Sequence, residues 1–139
     1  MKLMKKRTKS AAETIAFAES IAQQLTGGEV ILLNGELGAG KTTFTKGLAR
    51  GLGSALTVVS PTFTIMHAYE DGRIPLYHFD MYRITSEDEL YELGLEDYLY
   101  SSGVAVIEWN KFKTLPERVI TVNIESIGDD EREVEICGF

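Results

Sequence analysis

The sequence predicts an α/β fold: a mainly parallel central sheet flanked by helices, with hairpin additions. Three observations carry this. Two short apolar runs, Val30-Ile-Leu-Leu33 and Val104-Ala-Val-Ile107, lack polar–apolar alternation, as strands buried on both faces do in a parallel sheet. A glycine-rich turn joins the first run directly to a helical pattern. The length of 139 residues, with 44% hydrophobic and 25% charged residues, fits one globular domain over 1–139 that can fill a core.

The elements follow in order. Ser10-Ala-Ala-Glu13 has capping-box spacing and predicts a helix over 11–25, with Ile15, Ala18, Ala22 and Leu25 on one face and Gly27-Gly28 ending it. Residues 29–34 form the first buried strand, residues 35–40 a glycine-rich turn, and Lys41 to Leu52 a helix closed by Gly53. Segments 63–70 and 74–80 read as strands joined through Asp71-Gly72, a dipeptide favoured in hairpin turns, and Pro75 suits a strand end or edge. Ser86-Glu-Asp-Glu89 repeats the capping-box spacing before a short acidic helix ending near Gly94, and a helical turn follows over 96–100. The second buried strand spans 103–108. Segments 118–126 and 132–137 predict a final hairpin turning at Gly128-Asp129. No internal repeat, low-complexity segment or linker interrupts the pattern.

The net charge is −7, with 14 Lys plus Arg against 21 Asp plus Glu. Lys2, Lys5, Lys6, Arg7 and Lys9 crowd the first ten positions, leaving residues 10–139 with nine basic residues and a net of −12. Such a body repels nucleic-acid phosphates. One cysteine, Cys137, permits no internal disulfide and points to a reducing, cytoplasmic setting. The basic start is followed by Glu13, Glu19, Gln23 and Gln24, unlike a signal peptide, and no run reaches the ~18 apolar residues of a membrane span.

Gly35-Glu-Leu-Gly-Ala-Gly-Lys41-Thr42 fits the Walker A pattern between a buried strand and a helix, where its mechanism requires it. Such a loop turns the backbone N–H groups of Gly35, Leu37, Gly38, Ala39 and Gly40, with the positive helix end, toward a phosphate. Lys41 then reaches the β and γ phosphates, Thr42 offers its hydroxyl to Mg²⁺ and Thr43 donates to a phosphate oxygen. Asp80 and Glu108 each end an apolar strand, where a metal-holding or water-positioning carboxylate belongs. Other residues stay open at this level. His67 and His78 read first as packed, hydrogen-bonded histidines; Trp109 either covers the nucleotide, docks a partner or joins the core; Arg83 pairs with phosphate or a nearby acid. The acidic stretch 87–97 is a solvated face or a docking surface.

Absent motifs narrow the chemistry. Asn110-Lys-Phe-Lys113 lacks the aspartate of a guanine-reading Asn-Lys-x-Asp, and no Asp-x-x-Gly occurs, so guanine specificity is unsupported. No Lys or Arg lies between Arg83 and Lys111, leaving little for the cation-bearing lid of a small-metabolite kinase, which is the alternative reading. A nucleotide-gated binding module, in which occupancy matters more than hydrolysis, is a second alternative.

The ordered blocks Gly35-Glu-Leu-Gly-Ala-Gly-Lys-Thr-Thr-Phe44, Ser60-Pro-Thr-Phe63, Tyr77-His-Phe-Asp-Met-Tyr-Arg83 and Ile107-Glu-Trp109 resemble the bacterial TsaE (formerly YjeE) family over nearly the whole chain. The resemblance implies an open P-loop ATPase fold, and Mg²⁺-dependent ATP hydrolysis that is slow alone and tuned by partners. These would be a threonylcarbamoyl transferase subunit and its dimerisation companion (TsaD and TsaB type). The process implied is formation of threonylcarbamoyladenosine (t6A) beside the anticodon in tRNAs reading codons that begin with A, with the ATPase driving or resetting the complex rather than transferring the group. By the same resemblance, Lys41 and Thr43 are phosphate ligands, Thr42 and Glu108 hold Mg²⁺, and Asp80 supports the metal site or orients attacking water. Trp109 lies near the nucleotide, Arg132 contacts it, and Thr8 to Ser10 lie near the base. Asn110 replaces the proline found in many relatives. Given the acidic body, tRNA is expected to be held elsewhere in such a complex, the Lys2–Lys9 cluster being the one exception.

Overall fold

The computed structural model describes residues 3–139; Met1 and Lys2, the latter part of the basic cluster, lie outside the described residues. The chain runs β1 (Leu3–Thr8), α1 (Ala11–Ala22), β2 (Val30–Asn34), α2 (Lys41–Gly51), β3 (Met66–Tyr69), β4 (Leu76–Asp80), α3 (Glu87–Glu92), α4 (Glu96–Leu99), β5 (Val104–Glu108), β6 (Val119–Ser126) and β7 (Arg132–Cys137). Seven strands form one mixed sheet in the order β1-β7-β6-β2-β5-β4-β3. The inner four, β6, β2, β5 and β4, are parallel, and antiparallel strands extend both sides.

The unalternated runs become the sheet's centre, as expected. In β5, Val104 and Val106 enter one core with α1 and α2, while Ala105 and Ile107 enter the other with Leu90, Leu95 and Leu99 around α3 and α4. The α1–α2 contact is close because α2 carries glycine where the helices meet. A Cβ at Gly47 would lie 2.4 Å from the Ile15 carbonyl oxygen and 2.5 Å from the Ala18 Cβ. That packing holds α2 closely against α1.

Several expectations change. Strand β1 was not foreseen: Leu3-Met-Lys-Lys-Arg-Thr8 is polar because it is an edge strand. Its partner β7 sets Glu135 3.6 Å from Lys5 and Glu133 3.4 Å from Arg7, so part of the basic cluster is matched within the protein. The predicted 63–70 strand shortens to Met66–Tyr69 because residues 61–65 fold into a turn in which Thr64 and Ile65 both donate to the Pro61 carbonyl. Asp71-Gly72 lies in a six-residue connection, not a tight hairpin turn, since Arg73 N–H bonds the Leu52 carbonyl and ties the connection to the end of α2. Helix α1 stops at Ala22, short of residue 25.

Both capping boxes appear in altered form. Ser10 Oγ accepts from Glu13 N–H at 3.1 Å, and Glu13 reaches back to Lys9 N–H at 2.9 Å rather than to the cap residue. Ser86 makes no side-chain cap bond; Glu89 instead takes the Thr85 N–H at 3.2 Å and the Thr85 hydroxyl.

Candidate functional site

The site forms where β2, β4 and β5 present their carboxyl ends. Strand β2 delivers the chain at Asn34, and the loop turns through Gly38 (φ 80°) and Gly40 (φ 102°) before α2 begins at Lys41. These left-handed conformations favour glycine, and the Ala39 N–H, expected to face phosphate, instead donates to the Glu36 carbonyl at 3.0 Å and closes the turn. Arg132 braces the loop: its Nε–H donates to the Ala39 carbonyl at 2.8 Å, and its Nη1 donates to the carbonyls of Gly128, Asp129 and Glu131. Arg132, expected as a nucleotide contact, therefore supports the loop directly. Thr42 and Thr43 lie half-buried on the first turn of α2.

Parallel pairing of β4 and β5 sets Asp80 directly opposite Glu108. Both are buried. Lys41 Nζ stands 3.6 Å from Glu108 Oε1 and 4.4 Å from the centre of the Trp109 ring. The other oxygen, Glu108 Oε2, is 2.6 Å from His78 Nε2. Asp80 accepts from Tyr82 N–H at 3.0 Å through Oδ1 and from the Thr62 hydroxyl at 3.3 Å through Oδ2. Lys41, Asp80 and the adjacent pair Glu108 and Trp109, from three separate stretches of the sequence, thus lie at the same end of the sheet.

A cleft of about 700 Å³ opens here, lined by Gly35, Glu36, Leu37, Thr62, Asp80, Tyr82, Arg83 and Trp109. Trp109 is neither core nor fully exposed. It adopts φ 57°, packs edge-on against Tyr82 at 5.2 Å and walls the cleft. Arg83 lies over the Phe63 ring at 4.6 Å. Leu37 and Phe63 are strongly exposed at 94% and 81%, and Tyr82 is also exposed, so the cleft has an apolar, aromatic rim. Thr8 is not open to a ligand: it is buried with its hydroxyl 2.6 Å from that of Thr14. Ser10 caps α1.

Sequence reasoning left three contacts unassigned. Thr62 was visible only inside the Ser60–Phe63 block, with no partner to attach it to. The His78–Glu108 bond depends on strand register, which one sequence does not reveal. Tyr82 is brought to Trp109 by the turn after β4. His67 is half-buried and holds the Val59 carbonyl through Nδ1 at 3.1 Å.

The donor set suits phosphate with a divalent cation. A glycine-rich loop, a buried lysine, two helix-start hydroxyls and two strand-end carboxylates are groups that can hold phosphate and a divalent cation between them, with substrate and water completing the metal's coordination. Among the described residues no group of three or more His, Cys, Asp or Glu side chains is arranged to hold a metal ion.

A buried parallel strand, a glycine loop, a helix opening on lysine and threonine, and carboxylates on neighbouring strand ends define an α/β protein with a Walker A sequence at the carboxyl end of its parallel strands. Comparison with known proteins then identifies the family. The model of the family described as threonylcarbamoyl adenosine biosynthesis protein TsaE matches residues 8–134, and this chain belongs to that family. It is 48% identical over 136 residues to the tRNA threonylcarbamoyladenosine biosynthesis protein TsaE of Bacillus subtilis (strain 168), covering 96% of this chain and 85% of the relative. It is 39% identical over 132 residues to the protein of that name from Treponema pallidum (strain Nichols), covering 94% and 97%. The crystal structure of Bacillus subtilis YdiB aligns with TM-score 0.81 and 42% identity over 97% of this chain and 84% of that one.

Proposed function

We propose that this protein is a Mg²⁺-dependent ATPase that serves t6A formation in tRNAs reading codons that begin with A, working in the cytoplasm with a threonylcarbamoyl transferase subunit and its dimerisation companion. The observation that carries the ATPase reading is the convergence of Lys41, Glu108 and Asp80 at the mouth of a Walker A loop. The pathway reading rests on family membership and on the names of the relatives.

The residues divide the work as follows. Amides of the Gly35–Gly40 loop, apart from the Ala39 N–H that is held by the Glu36 carbonyl, and the Lys41 ammonium bind the phosphates, and Thr43 donates a hydroxyl to them. Thr42 and Glu108 would hold Mg²⁺, which when bound neutralises charge on the β and γ phosphate oxygens. Asp80 is held by Tyr82 N–H and Thr62 and faces the same cleft, placed to accept a hydrogen bond from water and orient it. Trp109 walls the site beside Lys41 and limits water there. Arg132 keeps the loop in shape. The exposed rim of Leu37, Phe63, Tyr82 and Trp109 suits closure by a protein partner over the cleft. That fits an ATPase whose turnover is set by its complex. The acidic body leaves tRNA to that complex.

Phosphate release tests the reading. Thr42→Ala is expected to lower Mg²⁺-dependent hydrolysis by roughly 100-fold or more while the fold is retained. Turnover equal to that of the unaltered protein would remove Thr42 from the metal site.

A further inference from the structure

His78 is the one histidine with no exposure, and it lies in the middle of β4, between β5 and β3. Its register partner is Val106, and Glu108 lies two residues further along β5 on the same face. The ring reaches diagonally across to Glu108, with Nε2 2.6 Å from Oε2. Its other nitrogen, Nδ1, is buried without a hydrogen-bond partner among the described residues. A proton on Nε2 and a lone pair on Nδ1 is therefore the arrangement that leaves no buried N–H unpaired.

The carboxylate of Glu108 is thus divided between two neighbours. Oε2 is occupied from within the sheet by a rigid aromatic donor, while Oε1 faces Lys41 and the phosphate loop. A glutamate has several side-chain torsions, and burial alone leaves rotation of its terminal carboxylate open. One short bond to a ring that cannot move within a packed sheet fixes that rotation.

We propose that His78 is a positioning residue for the ATPase site, acting through Glu108: it holds Oε2 so that Oε1 alone is presented toward metal and phosphate. This rests on the ATPase reading above and adds to it a residue that touches neither nucleotide nor metal. Groups that orient a metal-binding carboxylate typically change metal affinity or activity by roughly 10- to 100-fold when removed.

The test compares two amide substitutions. Glutamine at position 78 places its Nε2 about where the imidazole Nε2 stands, whereas asparagine is too short to reach Glu108. Trp109, the only tryptophan and a neighbour of Lys41, reports nucleotide binding by its fluorescence. We expect His78→Asn to raise the Mg²⁺ concentration giving half the ATP-dependent fluorescence change by roughly 10-fold or more, and to lower kcat more than it raises the KM for ATP. His78→Gln should recover most of both. Equal behaviour of the two folded variants, whether both impaired or both normal, would overturn the proposal.

Should a variant fail to fold, the unaltered protein still decides. The His78 Nε2–H must appear in its NMR spectrum as a protected proton that persists when Mg²⁺ and ADP are added, and its absence would overturn the proposal. Glu108→Gln separates the two levels. If it leaves hydrolysis unchanged, the ATPase reading of Glu108 is at fault. If it abolishes hydrolysis while His78→Asn folds and matches the unaltered protein, only the role of His78 is lost.

Discussion

Two buried glutamates stand near opposite ends of the parallel sheet and differ in what surrounds them. Glu29 precedes β2 at the amino end and is 3% exposed; Glu108 closes β5 at the carboxyl end and is 4% exposed. Glu29 accepts from Thr26 N–H at 2.8 Å, Gly27 N–H at 2.7 Å and Arg118 Nη2 at 2.7 Å, with the Thr26 hydroxyl at 3.3 Å. Glu108 has one short bond, from His78, and a longer ion pair to Lys41 at 3.6 Å. Burial is nearly equal, so burial does not separate structure from function here. The donor count does: Glu29 is a closed knot tying the turn after α1 to the start of β6, whereas Glu108 keeps capacity on the oxygen that faces the phosphate loop.

The largest effect expected from this contrast is on turnover. Glu108→Gln should reduce Mg²⁺-dependent phosphate release by roughly 100-fold or more while moving the melting temperature by less than about 3 °C. A full-rate variant, or one that unfolds, would make Glu108 a structural residue like Glu29. Next is Glu29→Gln, which turns one acceptor oxygen into a donor facing N–H groups. A loss of about 1–3 kcal/mol in denaturant unfolding, with ATP turnover kept within about twofold in the folded protein, is expected. Loss of activity without loss of stability would break the contrast.

Arg118→Met probes the knot more gently. The arginine side chain is 55% exposed and two backbone N–H groups remain on Glu29, so about 1 kcal/mol should be lost. A loss as large as that of Glu29→Gln would mean that the guanidinium, not the turn, satisfies the carboxylate.

The smallest effect concerns an exposed carboxylate. Hydrogen bonds from Ser54 and the Ala55 N–H hold the Asp71 carboxyl below its ordinary value of 3.8. A folded-state value below the unfolded one means that Asp71 adds stability above pH 3.8, and that this is lost as pH falls through the lowered value. Asp71→Asn should accordingly narrow the difference in melting temperature between pH 7 and pH 3. An unchanged difference would show that the Asp71 bonds are formed in the unfolded chain too.

Much of this site was legible in the sequence because its parts announce themselves locally. The loop needs glycines in order, and Asp80 and Glu108 sit at the ends of apolar runs that can only be central strands. What stayed hidden depends on pairing. β1 is a lysine-rich edge strand, and its place beside Glu133 and Glu135 follows from β7 alone. The turn over 61–65 shortens β3 and brings Thr62 to Asp80, yet its apolar residues read as strand. Ser86 has ideal cap spacing, but Thr85 supplies the donors instead. Neither His78 nor Glu29 could be given a partner until register and turn geometry were known. Short-range chemistry was readable; long-range contacts were not.

In the proposed function, Glu108 is left open on one side because that side serves Mg²⁺ and nucleotide. Its most direct test is a crystal structure of the protein with Mg²⁺ and a non-hydrolysable ATP analogue. Phosphates are expected in the Gly35–Thr42 loop and a metal ion on the Thr42 hydroxyl and Glu108 Oε1, with His78 still on Oε2. Nucleotide bound elsewhere, or bound in the loop with Glu108 touching no metal, would contradict it.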